Sequence, residues 1–306
     1  MASPYPKAIN PSQTRIGWIG TGIMGAPMAS RLLVAGYSLT VYNRTLEKAL
    51  PLQSQGARVV TSPIEVARHS DVVFTIVGNS RDVNQVTLDP SGVLPGLNSG
   101  GVVVDMTTSH PALAREIFAA ARAKGCWSVD APVSGADTGA REGKLAIFAG
   151  GDGDVVAWLK PLFDIMGKAT YMGEAGCGQS CKFANQITGG AVLVGLSEGL
   201  VFAEQAGLDL NKFLDAVRGG AAGSKLMELV GEKMIRKDYR PTGYAEYLVK
   251  DLGMALDTLE ETDEQRTVVV PGAALTKQLY CAMVANGDAK IGIHGVKTVI
   301  ERINGK

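Results

Sequence analysis

The chain has 306 residues, of which 46% are hydrophobic and 20% are charged, and its formal net charge at pH 7 is zero. This length and composition indicate a globular protein with room for two domains. The balanced charge provides no basic field for nucleic acid or an anionic membrane, and the apolar runs are interrupted well before the roughly 20 residues of a membrane span, so we expect neither as a partner.

The cysteine and histidine spacing predicts neither a disulfide nor a metal site. The four cysteines contain no C-x-x-C pair, and the three histidines form no H-x-x-x-H or His–Cys cluster. Residues 1–14 carry prolines and polar side chains without the pattern of a signal or transit peptide. We therefore expect a flexible leader over 1–14, reduced thiols and a cytoplasmic location.

The first predicted unit is a strand, a glycine-rich turn, a helix and a second strand. The strand Arg15–Ile19 leads into the turn, the helix over about 24–35 ends at Gly36, and the second strand covers Ser38–Tyr42. The turn has the pattern G-x-G-x-x-G, whose glycines permit a tight turn, close approach of a pyrophosphate and close helix packing. The helix N-terminus would direct its N–H groups at the phosphates. The residues expected to hold the cofactor phosphates are Gly20, Thr21, Gly22, Ile23, Met24 and Gly25.

The residues after the second strand favour NADP(H) over NAD(H). NAD-binding proteins usually carry Asp or Glu here for the ribose 2′-hydroxyl, whereas this chain has Asn43, Arg44 and Thr45. A guanidinium and a hydroxyl suit a 2′-phosphate instead. The alternative is that these three residues only cap a helix that starts near Leu46.

Short apolar runs then alternate with helical segments, which indicates a doubly wound, mostly parallel sheet. Ligands bind beyond the carboxyl ends of the strands in such sheets, so the loops after Val77, Asp105 and Asp130 should lie on the side of the glycine turn. Strands are predicted at Val72–Val77, Val102–Asp105, Trp127–Asp130, Lys144–Gly150 and Ala169–Met172, and helices at Pro63–Arg68, Val83–Leu88, Pro111–Lys124 and Asp152–Met166.

From Gly178 onward the pattern is helical. A long, largely apolar helix is predicted over Gln179–Ala206. Further helices are predicted at Asn211–Arg218, Lys225–Ile235, Tyr247–Glu261, Pro271–Asn286 and Gly295–Ile303. The predicted fold is therefore a Rossmann-type α/β domain over 15–178 and an all-α domain over 179–306 for substrate and subunit contacts, joined by the long helix.

A dinucleotide domain followed by a helical domain suggests hydride transfer, with the substrate between the two domains. Carbonyl reduction needs a proton donor and usually a site for a substrate carboxylate. No histidine lies in a loop beside a carboxylate, whereas Lys182 falls in the first turn of the predicted long helix, with Asn185 and Gln186 one turn further on. The helix N-terminus disfavours a cation there, which would make Lys182 easier to deprotonate. The alternative is an ordinary solvated lysine.

Four motifs in this order resemble the β-hydroxyacid dehydrogenase family, which includes 3-hydroxyisobutyrate dehydrogenases, tartronate semialdehyde reductases and glyoxylate/succinic semialdehyde reductases. The resemblance covers nearly the whole chain from about Arg15. The motifs are Gly20-Thr-Gly-Ile-Met-Gly-Ala-Pro-Met-Ala29, Asp130-Ala-Pro-Val-Ser-Gly135, Gly176-x-Gly178-x3-Lys182-x2-Asn185 and Lys250-Asp251-Leu252.

The resemblance implies a role for each matching residue. Lys182 would be the general acid of reduction and the general base of oxidation, and Asn185 would orient the substrate. Ser134, Gly135 and the N–H of Ala136 would hold the substrate carboxylate. The residues implied to contact the cofactor are Val77, Gly78 and Asp82 in the loop after a strand, Thr108 beside the nicotinamide, and Lys250, which would also reach the substrate.

The predicted function is NADP(H)-dependent interconversion of a small β-hydroxyacid and its semialdehyde or oxo acid, with NAD(H) possible and a homodimer or homotetramer expected. The glyoxylate/succinic semialdehyde reductases usually carry a lysine-containing stretch after Ser-Gly, whereas this chain has Ala136-Asp-Thr-Gly-Ala140. An activity of that kind is therefore the alternative and not the first choice. Two further alternatives are a non-catalytic NADPH-binding regulatory protein and a relative of 6-phosphogluconate dehydrogenase, for whose larger domain the helical part looks too short.

Overall fold

The computed structural model describes residues 8–241, 243–260 and 268–306. The chain divides into two compact units, one ending at Lys182 and the other comprising Phe183–Lys306. Residues 8–14 form turns and loops, whereas the first part of the predicted leader, residues 1–7, lies outside the described residues, as does Glu261 at the end of a predicted helix. The predicted domain boundary after residue 178 lies slightly before the division between the units.

The first unit is built on a mostly parallel sheet. Its strands are β1 Arg15–Ile19, β2 Ser38–Tyr42, β3 Arg58–Val59, β4 Val72–Thr75, β5 Val102–Asp105, β6 Trp127–Asp130, β7 Val133–Ser134, β8 Leu145–Gly151 and β9 Gly167–Gly173. The strands β1 to β6 are parallel and lie in the order β3-β2-β1-β4-β5-β6. Next to them, β8 pairs antiparallel with β6 and β7, and β9 pairs parallel with β8.

Helices cover both faces of this sheet, which explains why its central strands are continuous apolar runs. On β4, Val72 and Phe74 pack into one apolar cluster and Val73 packs into another, because successive side chains point to opposite faces. The helices are α1 Gly25–Val34, α2 Leu50–Gln53, α3 Pro63–Arg68, α4 Ser80–Thr87, α5 Val93–Gly96, α6 Pro111–Ala123, α7 Ala136–Glu142, α8 Gly153–Trp158 and α9 Lys160–Met166.

The Rossmann-type fold is as predicted, but some short elements were not. The sequence prediction lacks four short elements, the two-residue strands β3 and β7 and the helices α5 and α7. Segments this short do not show a recognisable hydrophobic periodicity. The predicted helix Asp152–Met166 is two helices, α8 and α9. Pro161 stands in the first turn of α9, where its missing N–H is tolerated, but it interrupts a continuous helix.

The second unit is helical throughout its described residues, apart from turns and an isolated bridge between Tyr244 and Gly292. Its core is a cluster of buried apolar side chains from several helices. The long helix α10 Cys177–Gln205 starts in the first unit and continues into the second, followed by α11 Leu210–Arg218, α12 Lys225–Ile235, α13 Ala245–Glu260, α14 Pro271–Ala285 and α15 Val296–Ile303.

Helix α10 is long and apolar enough to cross a membrane by length and composition alone, and 44% of its most apolar window is buried inside the protein. A core helix of a protein without a membrane passes the same test, so the expectation of no membrane partner stays a prediction.

The glycines of the turn between β1 and α1 have different physical roles. Gly20 has a φ of +97°, which favours glycine. A Cβ at Gly25 would lie 2.1 Å from the backbone carbonyl oxygen of Gly20, whereas a Cβ at Gly22 would meet nothing within 4 Å. Gly25 therefore permits the close approach of helix to strand, while the space above Gly22 is open.

We expect Gly25→Ala and Gly22→Ala to separate these roles. The alanine Cβ at position 25 would clash with the Gly20 carbonyl oxygen, and a backbone atom cannot move aside as a flexible side chain can. The free energy of unfolding should therefore fall by about 1–3 kcal/mol. The alanine at position 22 meets no atom and should change it by less than about 0.5 kcal/mol. Urea denaturation of both variants measures the difference, and equal losses would contradict this account of the turn.

Candidate functional site

The glycine turn is tied to the end of the neighbouring strand by Asn43. The Asn43 Oδ1 accepts a hydrogen bond from the Thr21 backbone N–H at 2.9 Å, and its Nδ2 donates to the Thr45 carbonyl at 2.8 Å. Asn43 therefore stabilises the turn itself. Ile23 is exposed and Met24 is half-buried at the start of α1.

Arg44, beside Asn43, extends toward the loop after β4. Its guanidinium forms an ion pair with Asp82 at 3.1 Å, and the Arg44 side chain is 79% exposed. Asp82 is held by Asn79, whose Oδ1 accepts from the Asp82 N–H at 3.0 Å and whose Nδ2 donates to the carboxylate at 3.1 Å. A Cβ at Gly78 would lie 2.6 Å from the same carboxylate. The structure thus brings Arg44, Gly78 and Asp82 together.

The alternative interpretation of residues 43–45, a helix cap, is borne out in part. A short 3₁₀ turn, Leu46–Lys48, starts at the expected residue with Thr45 at its N-cap position, although the Thr45 side chain makes no capping hydrogen bond to it. Arg44, at the end of β2, is exposed beside this turn.

A buried carboxylate supports the loop that carries Thr108. Asp105, at the end of β5, accepts hydrogen bonds from the Thr75 hydroxyl at 2.9 Å, the Thr107 N–H at 3.0 Å and the Ser109 hydroxyl at 3.0 Å. Burial raises the pKa of Asp105 to about 6, although these hydrogen bonds oppose the rise. The Thr107 hydroxyl accepts from the Val77 N–H at 3.0 Å. The loops after β4 and β5 therefore form one connected structure.

A second carboxylate, Asp130 at the end of β6, caps the start of α10. It accepts from the N–H groups of Gly176 at 2.8 Å and Gln179 at 2.9 Å. Burial raises its pKa, while the bonds from these N–H groups lower it. A Cβ at Gly178 would lie 2.5 Å from the Asp130 carbonyl oxygen, so the Gly176-x-Gly178 motif allows the helix to begin directly against the sheet.

Lys182 is buried, with 7% of its surface exposed. The interpretation of a solvated lysine is therefore wrong. Because α10 begins at Cys177, Lys182 stands in the second turn of the helix and not in the first, as the sequence suggested. The electrostatic effect of a helix end is confined to the terminal turn, so the effect predicted for Lys182 from the helix N-terminus does not apply at this position.

Asn185 follows Lys182 along α10 and is the end of a chain of polar contacts. Its Nδ2 donates to the Gln186 Oε1 at 3.0 Å, and the Gln186 Nε2 donates to the Asp251 carboxylate at 2.7 Å. A carboxylate can only accept, so the Gln186 Nε2 faces Asp251 and its Oε1 faces Asn185. Lys250 forms an ion pair with Asp251 at 3.1 Å. Its predicted contact with cofactor and substrate stays a prediction.

Ser134 ends β7, Gly135 forms the turn and Ala136 begins α7. Gly135 has a φ of +138° and Ala136 a φ of +57°, an uncommon conformation for alanine. The binding of a substrate carboxylate by these three residues stays a prediction.

The sequence analysis named Asp105 and Asp130 only as the ends of predicted strands, and Asp130 also as part of a motif; it assigned no role to either of them or to Gln179. Asp105 and Asp130 each end a buried parallel strand, and such a position is itself a signal of a ligand-side residue. Gln179 carries no comparable signal, since its partners are 70 and 72 residues away along the chain.

Family models match both parts of the chain. Residues 15–174 match the model described as the NAD binding domain of 6-phosphogluconate dehydrogenase. Residues 176–299 match the model described as NAD-binding of NADP-dependent 3-hydroxyisobutyrate dehydrogenase. The two matches meet at the start of α10.

Named relatives are similar over most of their length. A protein of Arabidopsis thaliana named probable 3-hydroxyisobutyrate dehydrogenase-like 3, mitochondrial, is 60% identical over 305 residues, covering 100% of this chain and 93% of the relative. The 2-hydroxy-3-oxopropionate reductase of Escherichia coli (strain K12) is 36% identical and covers 90% of this chain and 94% of its own. The structure of Mycobacterium tuberculosis 3-hydroxyisobutyrate dehydrogenase with L-serine has a TM-score of 0.83 and 26% identity, covering 94% of this chain and 99% of that one.

The pKa of Asp105 predicts a dependence of stability on pH. A carboxyl whose pKa rises from 3.8 to about 6 on folding favours the folded state below about pH 4 and loses that contribution as the pH rises through about 6. Asp105→Asn removes the charge: its Oδ1 can still accept from Thr75 and Thr107, while its Nδ2 would donate to the Ser109 hydroxyl oxygen, which reverses that hydrogen bond. The unfolding free energy of the parent protein minus that of the variant should therefore fall by about 2 kcal/mol between about pH 4 and pH 7.

Chemical denaturation of both proteins across this pH range measures the difference. Burial also raises the pKa of Asp130, but Asp130 is present in both proteins, so its contribution cancels in the difference between their unfolding free energies. A difference that stays constant with pH would contradict the proposed ionisation of buried Asp105.

Proposed function

The chain belongs to the β-hydroxyacid dehydrogenase family, and we propose that it is an NADP(H)-dependent enzyme that interconverts a small β-hydroxyacid and its semialdehyde or oxo acid, as 3-hydroxyisobutyrate dehydrogenases do. The observation that carries this proposal is the burial of Lys182 on a helix whose start is bonded to the carboxyl ends of the sheet strands. A buried lysine at the ligand side of a dinucleotide-binding sheet suits proton transfer.

The residues of the first unit fit a dinucleotide phosphate. The space above Gly22 is open, and the Thr21 hydroxyl is buried without a hydrogen-bond partner among the residues that the structure describes. Arg44 is exposed at the end of β2, where the adenosine ribose lies in this fold. The bound nicotinamide supplies or accepts the hydride, while Thr21, Gly22 and Arg44 would hold the phosphates and Thr108 would line the nicotinamide.

The substrate would be held by its carboxylate and protonated by Lys182. Ser134 and the N–H groups of Gly135 and Ala136 would bind the carboxylate, and Asn185 would orient the substrate. In reduction, the Lys182 ammonium would donate a proton to the carbonyl oxygen as the hydride reaches its carbon; in oxidation, the amine would remove the hydroxyl proton. L-serine, present in the similar Mycobacterium tuberculosis structure, is itself a β-hydroxy carboxylic acid.

The substrate class has one serious alternative, glyoxylate or succinic semialdehyde. The match of residues 176–299 to the NADP-dependent 3-hydroxyisobutyrate dehydrogenase model supports the first choice. Measuring kcat/KM for methylmalonate semialdehyde, glyoxylate and succinic semialdehyde, each with NADPH and NADH, distinguishes the two. The chain is an NAD(P)-dependent oxidoreductase, so the regulatory interpretation is set aside.

A cytoplasmic location and a homodimer or homotetramer stay part of the proposal. The Arabidopsis relative is named as mitochondrial, so imaging of a fluorescent fusion is the direct test of location. Light scattering of the purified protein tests the oligomeric state.

We expect Lys182→Ala to lower kcat by about 10²-fold or more, because the reacting oxygen loses its proton donor. The affinity for NADPH, measured by fluorescence titration, should stay within about threefold, since that lysine does not hold the phosphates. Lys225→Ala is the matched control: Lys225 begins helix α12 and its side chain is 78% exposed. Near-normal turnover of the Lys182 variant would exclude the mechanism.

Arg44 and Asp82 should act oppositely on cofactor choice. Arg44→Ala should lower kcat/KM for NADPH by about 10- to 100-fold, the loss of a hydrogen bond to a charged group, and leave the value for NADH within about twofold. Asp82→Asn removes the carboxylate that competes with the 2′-phosphate for Arg44 and should improve NADPH use by about two- to fivefold, as an exposed ion pair is weak. Equal losses with both cofactors for Arg44→Ala would contradict the assignment.

A further inference from the structure

We propose that Gln179 is a positioning residue that fixes the loop carrying Thr108 to the helix carrying Lys182. It would thereby keep the hydride-transfer and proton-transfer sites in one geometry. The inference rests on the proposed roles of Thr108 and Lys182, and it assigns to Gln179 a role in turnover beyond stabilising the fold.

The side-chain amide of Gln179 bonds to the backbone on both sides of Thr108. Its Oε1 accepts from the Ser109 N–H at 2.9 Å, and its Nε2 donates to the Thr107 carbonyl at 2.8 Å. Two bonds from one planar group to two peptide groups restrict the backbone between them. Thr108 is the residue whose position they determine.

A glutamine is required because the loop presents one acceptor and one donor. Gln179 has no exposed surface, so water cannot replace a missing partner, and a buried polar group without a partner is costly. An apolar side chain of the same length would fill the space but leave both backbone groups unsatisfied. An ionised carboxylate could accept from Ser109 but could not donate to Thr107.

The two Gln179 hydrogen bonds form a bridge between the loop and the helix, and a buried carboxylate fixes each of these two elements to the sheet. Asp105 accepts from the Thr107 N–H at 3.0 Å and from the Ser109 hydroxyl at 3.0 Å, and so holds the loop from the sheet. Asp130 accepts from the Gln179 N–H at 2.9 Å and so holds the helix. Displacing Gln179 therefore releases the link between two elements that are each fixed to the sheet.

The bridge is directly coupled to the proposed acid. Lys182 lies three residues after Gln179 on α10, and residues three apart are neighbours on one face of a helix. A shift of the loop relative to the helix would change the distance between a nicotinamide beside Thr108 and a proton on Lys182. Misplacement of reacting groups by about 1 Å can cost about 10²-fold in rate.

The first test is Gln179→Met, which keeps the side-chain length and removes both bonds. We expect kcat to fall by about 10- to 100-fold, with the KM for NADPH within about threefold. The primary deuterium isotope effect on kcat, measured with NADPH deuterated at C4, should rise because hydride transfer becomes slower. Ser197→Ala is the control on the same helix: it removes the hydrogen bond that the buried Ser197 donates to the Leu193 carbonyl at 2.7 Å and should leave kcat and the isotope effect unchanged.

The second test is Gln179→Glu, which also applies if the methionine variant fails to fold. A protonated carboxyl group can accept from Ser109 and donate to Thr107, whereas the ionised form cannot. The ratio of kcat for this variant to kcat for the parent protein should therefore rise as the pH falls from about 8 to about 5, since burial raises a carboxyl pKa. Asp105, Asp130 and His110 on the neighbouring elements and Lys182 on the same helix are present in both proteins, so the ratio cancels their titration.

The outcomes separate this inference from the proposed function. If Lys182→Ala loses turnover while Gln179→Met keeps kcat within twofold and an unchanged isotope effect, the positioning role is wrong and the function stands. A variant with a lowered Tm but parental kcat has the same meaning. If Lys182→Ala keeps its turnover, the proposed function fails, and this inference fails with it. For Gln179→Glu, a kcat ratio that does not change with pH would also overturn the positioning role.

Discussion

The carboxylate of Asp130 determines where the longest helix of the protein begins. Asp130 ends the strand β6, and its carboxylate accepts hydrogen bonds from two backbone N–H groups at the start of α10. An uncapped helix end buried against a sheet would leave N–H groups without partners, so this contact sets both the position and the rotation of α10. The burial of Lys182 and the reach of Gln179 to the loop after β5 depend on it.

Asp105 and Asp130 lie at the edge of the sheet beyond which ligands bind in folds of this type. Parallel strands end together at one edge of the sheet, and here Asp105 and Asp130 end adjacent strands in register. Burial raises the pKa of both carboxyl groups, so their placement is unfavourable for the isolated charges. The hydrogen bonds that the two carboxylates accept offset part of this cost. The same hydrogen bonds hold a loop and a helix in the fixed arrangement that the proposed reaction requires.

The elements with strong periodicity were predictable from sequence, and the long-range polar contacts were not. The strands β1, β2, β5 and β6 and the helix α3 have the predicted bounds, since each combines an apolar run with clear turn residues or a proline start. Lys182 was identified as a candidate, but its burial depends on a helix that begins earlier than its sequence pattern indicates. The pairing of Arg44 with Asp82, 38 residues away, and the bridge made by Gln179 depend on how strands are ordered in the sheet, which no local pattern records.

In the proposed reaction Lys182 exchanges a proton with a hydroxyacid whose carboxylate is bound by Ser134 and Gly135. A crystal structure of the protein with NADP⁺ and 3-hydroxyisobutyrate tests this arrangement. We expect the Lys182 Nζ within about 2.6–3.2 Å of the substrate hydroxyl oxygen and the carboxylate at the Ser134 hydroxyl and the N–H groups that follow. A hydroxyl that faces away from Lys182, or a carboxylate bound elsewhere, would contradict it.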